Sequence, residues 1–401
     1  VKRLVLTLAC ALSGCRFADP PPAASRDNQQ TELQANRASL EPVAFVAGTD
    51  YFPHKVVFRR AKQLRVEYHD YYKVVRFLSN SIHEEFTFVL VQRGAPKPPV
   101  SSDAIVIEVP LRRFAVGSYR YGGIIDLFGV ADRLVGYRPA RRATTPGLIA
   151  ALKTNHVSED LSAERLLHLQ PDATFHYYAN GQLQREMSPL TSVGLREIPM
   201  AEHMETDPLA KAEWIKFLAL FFNKEEQSER HFADVERRYT DIAALSRHLR
   251  DRPKVFVDEP IGDGWQIFGG NNSTARMIED AGGEYVFRDD PTSASIRKIS
   301  YELALDRGLD APIWLITFDA THRNDLAFRI WNDPRLREFR SLRENRVFIA
   351  HRNFPGLLNP YWDQGLPNPH LLLADVVRIL HPELLPDHDL VFFRKLERPG
   401  R

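Results

Sequence analysis

Arg112, Arg113, Tyr119, Arg120 and Tyr121 crowd one short stretch that follows the apolar run IVIEV. A guanidinium donates N–H bonds in a planar fork that fits carboxylate or catecholate oxygens, and a tyrosine beside it adds an apolar face with a polar tip. Further on, Trp265 falls in a Gly-rich stretch after KVFVD, and Trp362 in NPYWDQG, between prolines and a glycine. Loops at the carboxyl ends of strands line the ligand crevice of open α/β sheets, so Arg120, Tyr121, Trp265 and Trp362 are the candidate ligand contacts. Tyr177, Tyr178 and Tyr361 stand behind them. For any one aromatic, core packing is an equal reading, as is solvation of the surface for any one arginine. Catalytic signatures are missing. His83-Glu84-Glu85 lacks the second His of HExxH; Gly262 and Gly264 begin a GxG, but Ile267 stands where a dinucleotide loop needs its third Gly; no GxSxG or P-loop occurs. The fourteen His show no metal-site spacing, so the sequence points to binding, with no catalytic residue, no resident cofactor and no bare metal ion.

An internal echo says what must position these side chains. Ser162-Ala-Glu164 is followed by Asp172-Ala173 and the strand-like TFHYY; Ser300-Tyr-Glu302 is followed by Asp310-Ala311 and IWLIT. In each copy Ser fits a helix N-cap and Glu the first turn, where a carboxylate favours the helix dipole. The repeat implies two similar α/β lobes. Residues 43–103 alternate apolar and polar character in short runs, a strand pattern broken at GAPKPPVSSD, and form a β-rich extension of the first lobe. Strand and helix then alternate, implying mostly parallel sheets with helices on both faces. The first lobe is expected over 104–223 and the second over 251–401. Between them, 224–250 carries Phe232, Val235, Tyr239 and Ile242 on one stripe, the pattern of a long connecting helix. The fold class is therefore α/β, two Rossmann-like lobes joined by one helix with a ligand cleft between them.

The 53 basic and 52 acidic residues nearly cancel, which gives no electrostatic footprint for nucleic acid. Lys2 and Arg3 precede the apolar LVLTLACAL and then LSGC, a start that resembles a bacterial lipoprotein signal over residues 1–15. The resemblance makes Cys15 the lipidation site and mature N-terminus, with Cys10 removed alongside the signal. Residues 16–42, rich in Pro, Ala, Ser and Gln, read as a flexible tether. The expected location is the periplasm or cell surface, held to a bacterial membrane by lipid.

GGIIDLFGVADRLVGY, SAERLLHLQPD, PLAKAEWIKFLALFFNKE, GGNNSTARMIEDAGG, LREFRSLRENRVFIA and NPYWDQGLPNPHLLLADVVRILHPEL occur in that order over residues 104–390. Together they resemble the solute-binding lipoproteins of ABC importers, in the family that carries iron-siderophores, haem and cobalamin. The resemblance implies a monomeric two-lobe clamp that flexes little, because a helix does not bend without breaking its hydrogen-bond ladder. It implies a permease and its ATPase as partners, with Glu164 and Glu302 docking on permease arginines from the two lobe tips. It also implies a small-molecule iron chelate as ligand. The clustered arginines favour an anionic ferric siderophore; haem, with Tyr121 or a neighbouring Tyr as axial ligand, and cobalamin follow. A lipid-anchored enzyme or interaction protein on the same scaffold is the alternative from another class.

Overall fold

Lys73, Val75 and Phe77 are buried along one strand and alternate with the less buried Val74, Arg76 and Leu78, so this strand turns one face to the core, while Phe88, Val89, Leu90 and Val91 are all buried along the next. The computed structural model describes residues 44–79, 84–177, 190–293, 297–317, 326–350 and 359–398. Cys10, Cys15, the tether and Tyr178 lie outside the described residues.

The extension forms strands β1 (Leu64–Tyr68), β2 (Tyr72–Ser79), β3 (Glu84–Gln92) and β4 (Ile105–Val109), hydrogen-bonded in that order. The first three are antiparallel and β3–β4 is parallel. IVIEV, read from sequence as the opening strand of the first lobe, thus completes the sheet of the extension, and the lobe's own sheet starts one strand later.

The first lobe runs β5 (Phe114–Val116), α1 (Gly122–Leu127), β6 (Leu134–Tyr137), α2 (Pro146–Thr154), α3 (Ala163–Leu169), β7 (Ala173–Tyr177) and β8 (Glu197–Met200). Two helices follow, α4 (Pro208–Leu220), with Asp207 as N-cap, and α5 (Glu225–Ser246). At 1.5 Å per residue α5 is roughly 33 Å long, and it buries Phe232, Val235, Tyr239 and Ile242 on one stripe. It joins the lobes.

The second lobe contains β9 (Lys254–Val257), β10 (Pro260–Ile261), β11 (Gly264–Ile267), α6 (Ser273–Asp280), β12 (Glu284–Tyr285), β13 (Arg297–Ser300), α7 (Tyr301–Gly308), β14 (Ile313–Ile316), α8 (Leu326–Asn332), α9 (Arg340–Arg343), β15 (Val347–Ile349), α10 (Pro360–Asp363), α11 (Pro369–Leu380) and β16 (Arg394–Lys395). Its main sheet has the order β12-β9-β14-β15-β16, parallel except for β16, and β10-β11-β13 form a small antiparallel sheet.

The first lobe's sheet, β6-β5-β7-β8, is parallel throughout and follows the same winding as β12-β9-β14-β15. The sequence echo is therefore a structural repeat. Ser162 caps α3, which leads to β7; Ser300 caps α7, which leads to β14. Each lobe has its own core. The core of the first lobe is shared with the extension, where Phe77 meets Trp214 edge-on at 5.4 Å and Phe88 meets Phe217 at 6.2 Å.

Candidate functional site

Parallel strands deliver their carboxyl ends to one edge, and the chain after each strand enters the cleft. After β5, Ser118 caps a short 3-10 turn, Tyr119–Tyr121, that presents Arg120. The end of β7 supplies Tyr177, and a second 3-10 turn after β8, Glu202–Met204, supplies Glu202 and His203. Lys211 comes from the first turn of α4, its backbone N–H donating to Asp207 O at 3.0 Å. From the second lobe come Phe268, Asn272 and Thr274 around the start of α6, with Tyr361 and Trp362 from α10. These residues line two adjoining cavities of about 460 and 310 Å3 that share Arg120, Lys211, Thr274 and Trp362.

Arg120 is the centre. Its guanidinium carbon lies 4.1 Å from the Trp362 ring centroid and 4.7 Å from that of Tyr177, so one cation is held between an aromatic face of each lobe. Lys211 Nζ lies 5.6 Å from the Trp362 ring centroid, and His203 packs on Tyr177 at 4.5 Å between centroids. Tyr121 is fully buried behind this layer and donates its hydroxyl to Glu202 Oε2 at 3.0 Å.

Charge is unbalanced here. Burial pushes the Lys211 ammonium down to about 8, with Arg120 adding to the effect and Glu202 opposing it. The Glu202 carboxyl is raised by burial, against the pull of Lys211 and Arg120. His203 is held down to about 3 by burial and by the same two cations, so it is neutral. Burial also works against the Arg120 charge, but Tyr177, Tyr119 and Glu202 more than offset it. Among the described residues, two cations therefore face one buried carboxyl at neutral pH, an arrangement that attracts an anion.

The structure sorts the sequence candidates. It brings Arg120 and Trp362 together, with Tyr177 and Tyr361 on the cavity wall, and puts Tyr121 in support of Glu202. Trp265 is removed from the site. It lies in β11 rather than a loop, is fully buried, donates its indole N–H to Val257 O at 3.2 Å, and packs against Phe256, Trp314 and Phe339. Its glycine flanks mark strand ends, and Phe268, three residues on, reaches the cleft instead. Arg112 and Arg113 are also removed, because they precede β5 and stand at the opposite end of its sheet; their backbone N–H groups donate to Asp172 Oδ2 at 2.7 and 3.1 Å. Sequence reasoning missed Lys211, Glu202 and His203. The Asp207-Pro208 start of α4 was legible and fixes Lys211 in its first turn; Glu202 and His203 needed the short strand EIPM to be recognised.

Glu164 and Glu302 are exposed in the first turns of α3 and α7, where Ser162 Oγ accepts from Arg165 N at 3.4 Å and Ser300 Oγ from Leu303 N at 3.2 Å. Leu167 and Leu303, beside them, are exposed as well. Among the described residues no group of three His, Cys, Asp or Glu could hold a metal ion, and no helix is long and apolar enough to cross a membrane.

The family model of the periplasmic binding proteins matches residues 115–353, which span both lobes and the helix between them. The chain belongs to the periplasmic binding protein family. An uncharacterized lipoprotein of Methanocaldococcus jannaschii is 23% identical over 334 residues, 77% of this chain and 75% of that protein. Among solved structures, the apo periplasmic heme-binding protein RhuT of Roseiflexus sp. RS-1 superposes with a TM-score of 0.51 at 18% identity, covering 68% of this chain and 99% of that one. The molybdate-bound periplasmic binding protein MolA of Haemophilus influenzae gives 0.55 at 17% identity, covering 71% and 90%. This periplasmic binding protein thus has a solute-binding role outside the cytoplasm.

Proposed function

We propose that the protein captures an anionic iron chelate, a ferric siderophore before haem or cobalamin, and hands it to an ABC importer without chemistry of its own. The observation that carries this reading is the pair of cations, Arg120 and Lys211, set against the Trp362 face, with one buried carboxyl among the described residues of the cleft to oppose them. A guanidinium and an ammonium suit carboxylate or catecholate oxygens, and the aromatic faces suit the apolar body of a chelator. RhuT and MolA, with heme and molybdate as their solutes, support a cleft of this fold accepting a metal complex or an oxyanion. Haem fits less well through Tyr121, whose hydroxyl is committed to Glu202; Tyr177 and Tyr361 are the tyrosines on the cavity wall.

In the same reading Glu164 and Glu302 meet the two halves of the permease, each offering a carboxylate at a lobe tip. A diacylglyceryl group on Cys15 tethers the body to the membrane through residues 16–42, and the M. jannaschii lipoprotein supports that assignment. Intact mass of the processed protein tests it: acyl mass on a chain beginning at Cys15 is expected, and a mature chain starting elsewhere without acyl mass refutes it.

Titration of intrinsic Trp fluorescence with a ferric catecholate siderophore, a ferric hydroxamate, haem and cobalamin tests the ligand assignment. A ferric siderophore should quench the wild-type protein through Trp362 and bind Arg120→Ala more weakly. Equal binding by both proteins, or binding of cobalamin alone, overturns it.

A further inference from the structure

Residues 57–63 of the extension, which lie outside the stretch matched by the family model, pack against α4. The backbone N–H groups of Arg59, Arg60 and Ala61 all point at the Glu213 carboxylate of α4, with distances of 3.0, 2.7 and 2.8 Å. Glu213 is fully buried, and Lys216 Nζ, which donates to its Oε1 at 3.1 Å, also donates to Val57 O at 3.1 Å. A buried carboxylate so clasped holds the backbone of one element tightly to the next, because leaving it unpaired would cost its full desolvation.

The same strip grips both ends of the turn that leads into α4. The Arg60 guanidinium bridges Asp207, the N-cap of α4, at 3.1 Å and Glu236 of α5 at 2.6 Å. Gln63 Nε2 donates to Glu205 Oε1 at 3.4 Å, three residues after Glu202, and Trp214 Nε1 donates to the same oxygen at 3.2 Å. Lys211 and Glu213 are two residues apart on one helix, so their side chains leave it about 200° apart. The face gripped by the extension is thus opposite the face that presents Lys211 to the cleft. Any roll of α4 about its axis that loosens the grip also swings Lys211.

We propose that residues 57–63 are a brace that positions Lys211, and with it the Glu202–His203 turn, at the ligand cleft. Arg60 and Gln63 are positioning residues that touch no ligand. The brace ties the start of α4 to the connecting helix α5, so the cation's place is referred to the element that also sets the separation of the lobes. This inference rests on Lys211 being a ligand contact.

Titration of Lys211 in the full chain, carrying 13Cε-labelled lysine, tests the brace without any ligand. Lys211→Arg identifies the resonance by its loss. Burial holds the wild-type ammonium near 8; in Arg60→Ala and in Gln63→Ala the midpoint should rise by about one pH unit as α4 shifts and water reaches it. A midpoint unchanged in both variants, even with a lower melting temperature, overturns the proposal and leaves the strip a merely stabilising contact. If Arg60→Ala fails to fold, Glu236→Gln on the partly exposed side of the same ion pair takes its place. The reading of Lys211 as a ligand contact fails separately: Lys211→Met would then bind a ferric siderophore as tightly as wild type.

Discussion

Replacing Asp363 by Asn should flatten part of the pH dependence of stability. Asp363 sits in α10 of the second lobe, is fully buried, and meets the first lobe through Thr144, whose hydroxyl donates to its Oδ2. Gln364 Nε2 donates to the same Thr144 hydroxyl at 2.7 Å, and Gln364 N donates to Asp363 Oδ1 at 2.9 Å. A Cβ on Gly123 would lie 2.3 Å from the Asp363 backbone carbonyl oxygen, so α10 packs directly against α1. Among the described residues no cation pairs with this carboxylate. Burial therefore dominates and raises its pKa from 3.8 to about 7 despite the hydrogen bonds. The unfolded chain releases this proton near 3.8 and the folded protein keeps it until about 7, so folding takes up a proton in that window and stability falls as pH rises through it. Between about pH 5 and pH 8 the loss from this one group is of order 2 to 3 kcal/mol. Urea unfolding of wild type and Asp363→Asn at those two pH values measures it, because the amide can still bond Thr144 and Gln364 but does not titrate. A wild-type loss that exceeds the variant's by about 2 to 3 kcal/mol is expected. The same pH dependence in both proteins would refute the argument.

Affinity for an anionic chelate should fall as pH rises through about 8, where Lys211 loses its proton, and should stay level over about pH 7 to 9 in Lys211→Arg; calorimetric titration across that range checks it. Trp265→Ala should cost about 3–5 kcal/mol of stability, as an emptied core site does, with ligand affinity unchanged; Trp362→Ala should leave the melting temperature near wild type and weaken binding by about 1 to 2 kcal/mol. The Glu164→Arg, Glu302→Arg double reversal should abolish uptake in cells and leave the dissociation constant of the purified protein intact, since like charges would meet at both docking points; normal transport, or lost binding, contradicts the docking assignment.

The repeat was legible because its cues are local. Ser162 and Ser300 are N-caps, Glu164 and Glu302 follow in the first turns, and the apolar runs after Ala173 and Ala311 become the middle strands of two sheets wound in the same order. Arg120 and Trp362 were legible as a polar and an aromatic residue near helix starts beyond strand ends. Trp265 misled because glycines on both sides of a four-residue strand read as a loop, while only the pairing of β11 with β10 and β13 tells which way its ring points. Arg112 and Arg113 misled because IVIEV was placed in the wrong sheet; once β5 is the strand that feeds the cleft, they fall before it. Lys211 was hidden among the apolar residues of α4. Its role depends on which face of that helix the extension covers, and that is set by pairing between residues more than a hundred positions apart.

The most direct test of an anionic iron chelate as cargo is native mass spectrometry of the protein purified from its own host, beside an Arg120→Ala variant prepared in the same way. A retained adduct with the iron isotope pattern, present on wild type and lost or much reduced on the variant, is the predicted result. An iron-free adduct, a cobalamin mass, or an iron adduct equally abundant on both proteins would contradict it.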